Sequence, residues 1–145
     1  MGKQADADLI LKLYDLRREE TMRKARTWFF SFNPTSVQDF MDTLFSENSG
    51  YYRMVVSYWD MAASLVNHGA IDEAMFNDSN GEMIFVWAKI APFVAEMRTT
   101  FNNPEAFQNL EKLVKRIPNI DQKIENMRNM MKRFQELQAA KAAAA

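Results

Sequence analysis

Cysteine is absent from the 145-residue sequence, which excludes disulfide frameworks, thiolate metal sites and cysteine nucleophiles. The one histidine, His68, has Leu65 three positions before it, where a carboxylate-bridged di-metal bundle needs a glutamate. His68 also falls in the last turn of a predicted helix, where a histidine usually caps carbonyl groups. The four glycines are isolated from one another and cannot form a phosphate-binding loop. We therefore expect no catalytic residue, no metal site and no cofactor.

The charges are close to balance, and no apolar run is long. Eighteen Lys and Arg residues against nineteen Asp and Glu residues give a net charge of −1, so no overall field favours nucleic acid. The most apolar run, residues 83–95, is too short to cross a bilayer and contains Lys89. The polar and acidic residues 1–8 lack a secretory signal. These absences predict a cytoplasmic protein without membrane insertion and without a nucleic-acid partner.

What the sequence does contain is helical periodicity. Apolar residues recur at helical spacing in about seven segments joined by short connections, and no run shows the alternation of a strand. The segments are about 6–30, 37–45, 51–68, 71–76, 82–101, 104–117 and 120–137. We expect an all-α fold, a compact and mostly antiparallel bundle of about six or seven helices. Residues 1–138 are expected to form one helical domain, and the alanine-rich residues 139–145 a disordered tail or a frayed helix extension.

Capping signals set the expected helix ends. Gly69 is expected in the left-handed conformation after the third helix, and Pro92 is expected to bend the fifth. The predicted N-terminal caps are Thr35 with Gln38, Ser79 with Glu82, and Asn103 with Pro104.

The third predicted helix, Tyr51–His68, is apolar over most of its surface. Its polar residues are spaced four, three, four and three positions apart, which places them on one stripe. They are Arg53, Ser57, Asp60, Ser64 and Asn67. We expect this helix to lie at the centre of the bundle.

Several charged residues fall on apolar helix faces. Arg17 and Glu20 project toward the apolar side of the first predicted helix, and Arg98 aligns with apolar residues of the fifth. A buried guanidinium needs a carboxylate partner, for which Asp60 and Glu20 are the candidates. We expect a polar network formed by Tyr14, Arg17, Glu20, Asp60, Trp87 and Arg98. The network either fixes the register of the helices or lines a pocket for a small molecule or an anion.

The last predicted helix carries a methionine-rich stripe. Its members are Met127, Met130, Met131 and Phe134. Stripes with this spacing usually belong to the core, whereas an exposed one would suit an adaptable partner surface. If the stripe is exposed, self-association through this helix is the interaction that we expect.

An ordered series of residues extends over about 10–115. Its first part contains Tyr14, Leu16, Arg17, Arg23, Ala25, Arg26, Asp60, Leu65, Val66, Gly69, Ile71, Asp72 and Glu73. Its second part contains Trp87, Pro92, Arg98, Phe107, Leu110 and Glu111. In order and spacing this series resembles a family of small bacterial all-helical proteins known only as a domain of unknown function. The family usually has Glu where this chain has Asp60, and many relatives carry an N-terminal membrane segment that is not seen here; the resemblance implies an all-helical bacterial domain and no particular activity.

Three classes of function follow from these observations. The first is a non-enzymatic protein-interaction or scaffold module, which binds a protein partner or a second copy of itself. The second is a small-molecule or anion-binding bundle that uses Arg17, Asp60, Trp87 and Arg98. Enzymatic activity ranks third, because no nucleophile with a base is visible. A cavity lined by those four residues would favour the second class, whereas a packed interior with an exposed apolar face would favour the first.

Overall fold

A computed structural model describes residues 2–145, so Met1 of the predicted domain 1–138 lies outside the described residues. Residues 2–145 form nine α-helices and one 3-10 turn, without a strand. The helices are α1 Lys3–Arg18, α2 Glu20–Ser31, α3 Val37–Leu44, α4 Ser49–Asn67, α5 Glu73–Ser79, α6 Glu82–Ile90, α7 Val94–Thr100, α8 Gln108–Lys115 and α9 Ile120–Ala144. The 3-10 turn, Ala91–Phe93, joins α6 to α7. The expected all-α fold is confirmed.

The central position of α4 follows from its apolar surface. This helix contacts α2, α3, α5 and α8, and α6 contacts α8 and α9 on another side of the core. The buried side chains of α4 include the bulky Tyr52 and Trp59 and the small Ala62 and Ala63. Arg53, on the polar stripe, is exposed. A helix that is apolar on most sides thus organises the domain around one core.

The first predicted helix, 6–30, is two helices, because the chain turns at Glu19. The backbone there is extended, and the Glu19 carboxylate accepts hydrogen bonds from the N–H groups of Thr21 at 3.0 Å and Met22 at 2.9 Å. These backbone bonds lower the pKa of Glu19. Glu19 therefore caps α2 and is not part of an uninterrupted helix. The prediction was wrong because the same acid also fits an i, i+4 pair with Arg23.

The predicted cap of α3 is displaced by one residue. The side chain of Ser36, rather than Thr35, accepts the hydrogen bond from the N–H of Asp39. In return the Asp39 carboxylate accepts a bond from the Thr35 N–H at 2.8 Å. Gln38 instead donates to Asp42. The arrangement resembles a capping box, but its acid is an aspartate and the return bond comes from Thr35, the residue before the N-cap.

The other two predicted caps are wrong. Ser79 is the last residue of α5, and α6 begins after Gly81 without a side-chain cap. Asn103 belongs to a turn, and α8 begins only after Phe107, whose backbone is left-handed with φ 60°. A left-handed phenylalanine supplies no side-chain acceptor, so the start of α8 must be satisfied from elsewhere in the fold.

Gly69 adopts the expected conformation, whereas Pro92 interrupts the fifth predicted helix rather than only bending it. Gly69 has φ 80°, the left-handed conformation that ends α4. Pro92 lies in the 3-10 turn that divides the fifth predicted helix into α6 and α7. Beyond residue 137 the chain continues as α9 through Ala144, in keeping with the high helix propensity of alanine. Among the helices of residues 2–145, none is both long and apolar enough to cross a membrane.

Candidate functional site

The residues predicted to form one polar network have separate partners. Arg98 does have a carboxylate partner, as a half-buried guanidinium requires, but that partner is Glu111, whose Oε1 lies 2.9 Å from Nη2 of Arg98. Arg98 also donates two hydrogen bonds to the carbonyl of Ala106, at 2.9 and 2.8 Å. Burial acts to raise the pKa of Glu111, but hydrogen bonds from Lys115 and Arg98 bring it below its usual value. Arg98 therefore fastens α7 to the turn before α8.

Asp60 projects from α4 to the start of α8. Its Oδ1 accepts a hydrogen bond from the backbone N–H of Leu110 at 3.0 Å. Leu110 lies in the first turn of α8, whose N-cap Phe107 provides no side-chain bond. A carboxylate from the central helix thus performs the task of an N-cap and also lies at the positive end of the helix dipole.

Arg17 and Tyr14 lie together, whereas Glu20 lies apart from them. The Arg17 guanidinium is 5.4 Å from the ring centroid of Tyr14 and 5.3 Å from that of Trp59, a cation–π arrangement. Glu20 is exposed and pairs with Lys24 at 3.4 Å. The turn at Glu19 rotates the face on which Glu20 lies, so the residue leaves the apolar line predicted for it.

Trp87 of α6 is buried in the core. An ion pair that was not predicted connects α6 to α2. The connection is an ion pair between Arg26 and Glu82, with Nη2 to Oε1 at 2.7 Å and Nε to Oε2 at 2.9 Å. Arg26 also donates to the carbonyl of Arg17, at the end of α1. Fifty-six positions separate the pair along the chain. Nothing in a single sequence distinguishes Glu82 from the other acids that Arg26 could meet.

Lys89 is the most deeply buried charge in the described chain, with 7% of its surface exposed. Its Nζ donates to the carbonyls of Phe29, Phe30 and Phe32 at 2.6, 2.7 and 2.5 Å, where α2 ends. The ammonium also lies 4.9 Å from the ring centroid of Phe85. Burial lowers the pKa of Lys89 to about 8. Lys89 is the one charged residue in the apolar run 83–95. A helix that is apolar on nearly every face is expected to bury such a residue, so the sequence contained a signal for this buried charge.

The methionine-rich stripe of α9 is divided between core and surface. Met127 and Met131 pack against the core, whereas Met130 is 60% exposed. Phe134 is 44% exposed, and its ring makes an edge-on contact with Phe30 at 5.2 Å between centroids. The next apolar position on that side, Leu137, is 59% exposed. We call Met130, Phe134 and Leu137 the distal stripe; Leu137 was not predicted as part of it.

The titratable groups show no convergence on one point. In the part of the chain that the structure describes, no three His, Asp or Glu side chains are close enough together to hold a metal ion. Nδ1 of His68 lies 2.9 Å from the carbonyl oxygen of Ser64, one turn earlier in α4. The charged side chains bond instead to one another in separate pairs and to backbone groups at helix ends and turns.

Comparison of the chain with known proteins agrees with the resemblance noted in the sequence. No curated protein and no solved structure matches the chain. A family model matches residues 4–117, a region that ends before α9 begins at Ile120. The expected family of unknown function is confirmed: the chain belongs to the family described as "Domain of unknown function (DUF4760)".

Proposed function

We propose that this protein is a non-enzymatic helical interaction module that associates with a second copy of itself through the distal stripe. The observation that carries the proposal is the exposure of Met130, Phe134 and Leu137 on one side of α9. Every residue from 132 to 145 is exposed, and apart from the contact of Phe134 with Phe30 this half of the helix lies outside the core of its own domain. Exposed apolar side chains at helical spacing are typical of helix-to-helix recognition.

The charges beside the distal stripe favour a second copy as the partner. Two α9 helices that pair antiparallel about Phe134 would place Lys132 of one copy at the level of Glu136 of the other. The same pairing sets Phe134 opposite Phe134 of the other copy and places Leu137 within one residue of the level of Met130. Each contact occurs twice because the arrangement is two-fold symmetric, as in most homodimers. The pairing thus matches apolar with apolar and positive with negative positions.

The alternative, a small-molecule or anion pocket formed by Arg17, Asp60, Trp87 and Arg98, receives less support. Asp60 is bonded to the start of α8, and Arg98 to Glu111 and a turn carbonyl. Trp87 lies in the packed core. Residues with separate partners do not offer one ligand a common set of contacts.

The test is sedimentation velocity over a range of protein concentrations, with the double variant Met130→Glu, Leu137→Glu. These side chains are exposed, so the domain should fold while four carboxylates repel one another in the dimer. We expect a concentration-dependent dimer for the wild type and a monomer for the variant. The matched control, Asn129→Glu with Ala140→Glu, adds the same charge on a line of α9 about 100° from the stripe and should still dimerise.

Two results would contradict the proposal. One is a wild-type chain that remains monomeric at every concentration. The other is equal dissociation of the stripe variant and the control variant, since charge alone would then explain the effect. Circular dichroism of both variants checks that helix content is unchanged.

A further inference from the structure

A cavity of about 240 Å³ lies among α2, α4, α6 and α9. Its inner wall is formed by Phe29, Val55 and Val86, each with 1% of its surface exposed. Protein interiors contain few voids larger than a water molecule, so a space of this size beside fully buried side chains is unusual. An apolar cavity of about 150 Å³ is already large enough to hold benzene. The cavity therefore has room for one aromatic ring with a substituent.

The side walls of the cavity are apolar and include two further aromatic rings. Phe30 comes from the end of α2 and Phe85 from α6, and their rings are stacked with 5.5 Å between the centroids. Met127 of α9 adds a flexible thioether side chain. Phenyl rings and thioether sulfur both pack favourably against the ring of an aromatic molecule. The lining thus favours an aromatic ring as the apolar part of a ligand.

The outer side of the cavity is polar, because the ion pair of Arg26 and Glu82 lines it there. Both residues are half-buried, and with Phe30 they also line a groove on the surface of the domain. Within residues 2–145, each NH₂ group of Arg26 makes one of its two possible hydrogen bonds, and Oε2 of Glu82 accepts one bond, from Nε of Arg26. The pair can therefore both donate to a ligand and accept from it.

We propose that this cavity binds a small phenolic molecule, with its ring among the phenylalanines and its hydroxyl group at the ion pair of Arg26 and Glu82. A hydroxyl group donates one hydrogen bond and accepts others, so it can donate to Glu82 and accept from Arg26. A charged end group suits the site less, because a carboxylate is repelled by Glu82 and an ammonium group by Arg26. No residue of the distal stripe lines the cavity, so this site is separate from the self-association surface.

The test uses protein labelled with ¹³C at the methyl groups of valine and methionine, titrated at pH 7 with phenol, toluene and benzoate. Phenol and toluene have the same shape and differ in a hydroxyl or methyl group, whereas benzoate carries a negative charge. We expect phenol to bind with a Kd on the order of 1 mM and to shift the signals of Val55, Val86 and Met127. Val37 and Val114, which are buried elsewhere in the core, should not shift. Benzoate should bind about tenfold more weakly than phenol.

Variants of the ion pair separate the polar contact from the apolar one. Arg26→Leu with Glu82→Leu removes both charges and leaves neither unpaired. In this double variant the affinity for phenol should fall about tenfold, while that for toluene should not fall. Arg23→Leu, at an exposed position that lines the surface groove but not the cavity, is the control and should change neither affinity. If the double variant does not fold, Glu82→Gln replaces it; Arg26 then keeps its charge, so benzoate should bind more tightly than phenol.

A larger side chain in the inner wall tests the cavity itself. Val86→Phe should weaken the binding of phenol and toluene severalfold, because the added ring occupies the same space; if this variant does not fold, Val86→Leu should weaken both by a smaller factor. Three results would overturn the proposal. The first is a set of shifts as large at Val37 and Val114 as at the cavity, the second is an equal loss of phenol and toluene in the double variant, and the third is unchanged affinity in the Val86 variant.

Discussion

Replacement of Lys89 by Met tests whether a buried ammonium holds the end of α2 in place. Met keeps most of the apolar stem and removes the three hydrogen bonds to the carbonyls of Phe29, Phe30 and Phe32. Hydrogen bonds to a charged group contribute about 1.5–3 kcal/mol each. Against them stands the cost of burying the charge, which lowers the pKa of Lys89 to about 8 from the usual 10.5 and corresponds to about 3 kcal/mol.

The balance of these effects favours the wild type. The three hydrogen bonds together, less the cost of burying the charge, leave a net stabilisation of about 2 to 6 kcal/mol. The bonds to Phe30 and Phe32 are only partly buried, so water can rehydrate those two carbonyls in the variant. We therefore expect Lys89→Met to lower the free energy of unfolding by about 2 kcal/mol at pH 7. Urea denaturation followed by circular dichroism measures this difference, and Lys112→Met, at an exposed position of α8, is the control.

The pH dependence of the free energy of unfolding provides a second test of this prediction. Below pH 8 the amine is protonated in both the folded and the unfolded state, and the whole cost of burial is present. Between pH 8 and 10.5 the unfolded state binds more protons, so the stability of the wild type should rise with pH through this window. The advantage over Lys89→Met should therefore grow between pH 8 and pH 10. Equal stability of the two proteins at pH 7, or a difference that does not change with pH, would refute the reasoning.

Three further predictions concern the ends of helices. Arg98→Met should cost about 2 kcal/mol, and a double-mutant cycle with Glu111→Gln in urea denaturation should give a coupling of about 1 kcal/mol. Asp60→Ala should cost about 1 kcal/mol in the same assay and Asp60→Asn less, because asparagine keeps the acceptor for the α8 N–H. Glu19→Ala should lower the melting temperature at pH 7. That difference should disappear in acid. The pKa of Glu19 is lower in the folded state than its usual value of 4.5, so the carboxylate stabilises the fold above pH 4.5 and loses this effect as the pH falls through the lowered pKa.

The apolar spacing in the sequence predicts the fold well, since helical periodicity extends through whole segments. The central position of α4 follows from one stripe of polar residues, and the break at Pro92 from the missing backbone N–H of proline. The turn at Glu19 was not predictable, because an acid at that position can cap a helix or pair with Arg23. Which of the two roles the acid takes depends on how α1 packs against α2, and the local spacing of residues carries no information about that packing.

The candidate site was less predictable for a related reason. The sequence correctly indicates that Arg17 and Arg98 are half-buried, because these lie on apolar helix lines, but the same reasoning fails for Glu20, which is exposed. It does not indicate the partner, since Asp60 bonds a backbone N–H of Leu110 rather than a guanidinium. Backbone groups at helix ends are available partners in any helical protein, and a method that pairs only side chains overlooks them.

Most of the buried and half-buried charges of this domain bond to backbone groups at helix ends and turns. Lys89 holds the end of α2, Asp60 the start of α8, and Arg98 the turn before α8. Each of these charges has its hydrogen-bond partners at a helix end or a turn of its own domain and is therefore not available to a ligand. Arg17 differs from them, because its guanidinium lies against the rings of Tyr14 and Trp59 rather than at a helix end.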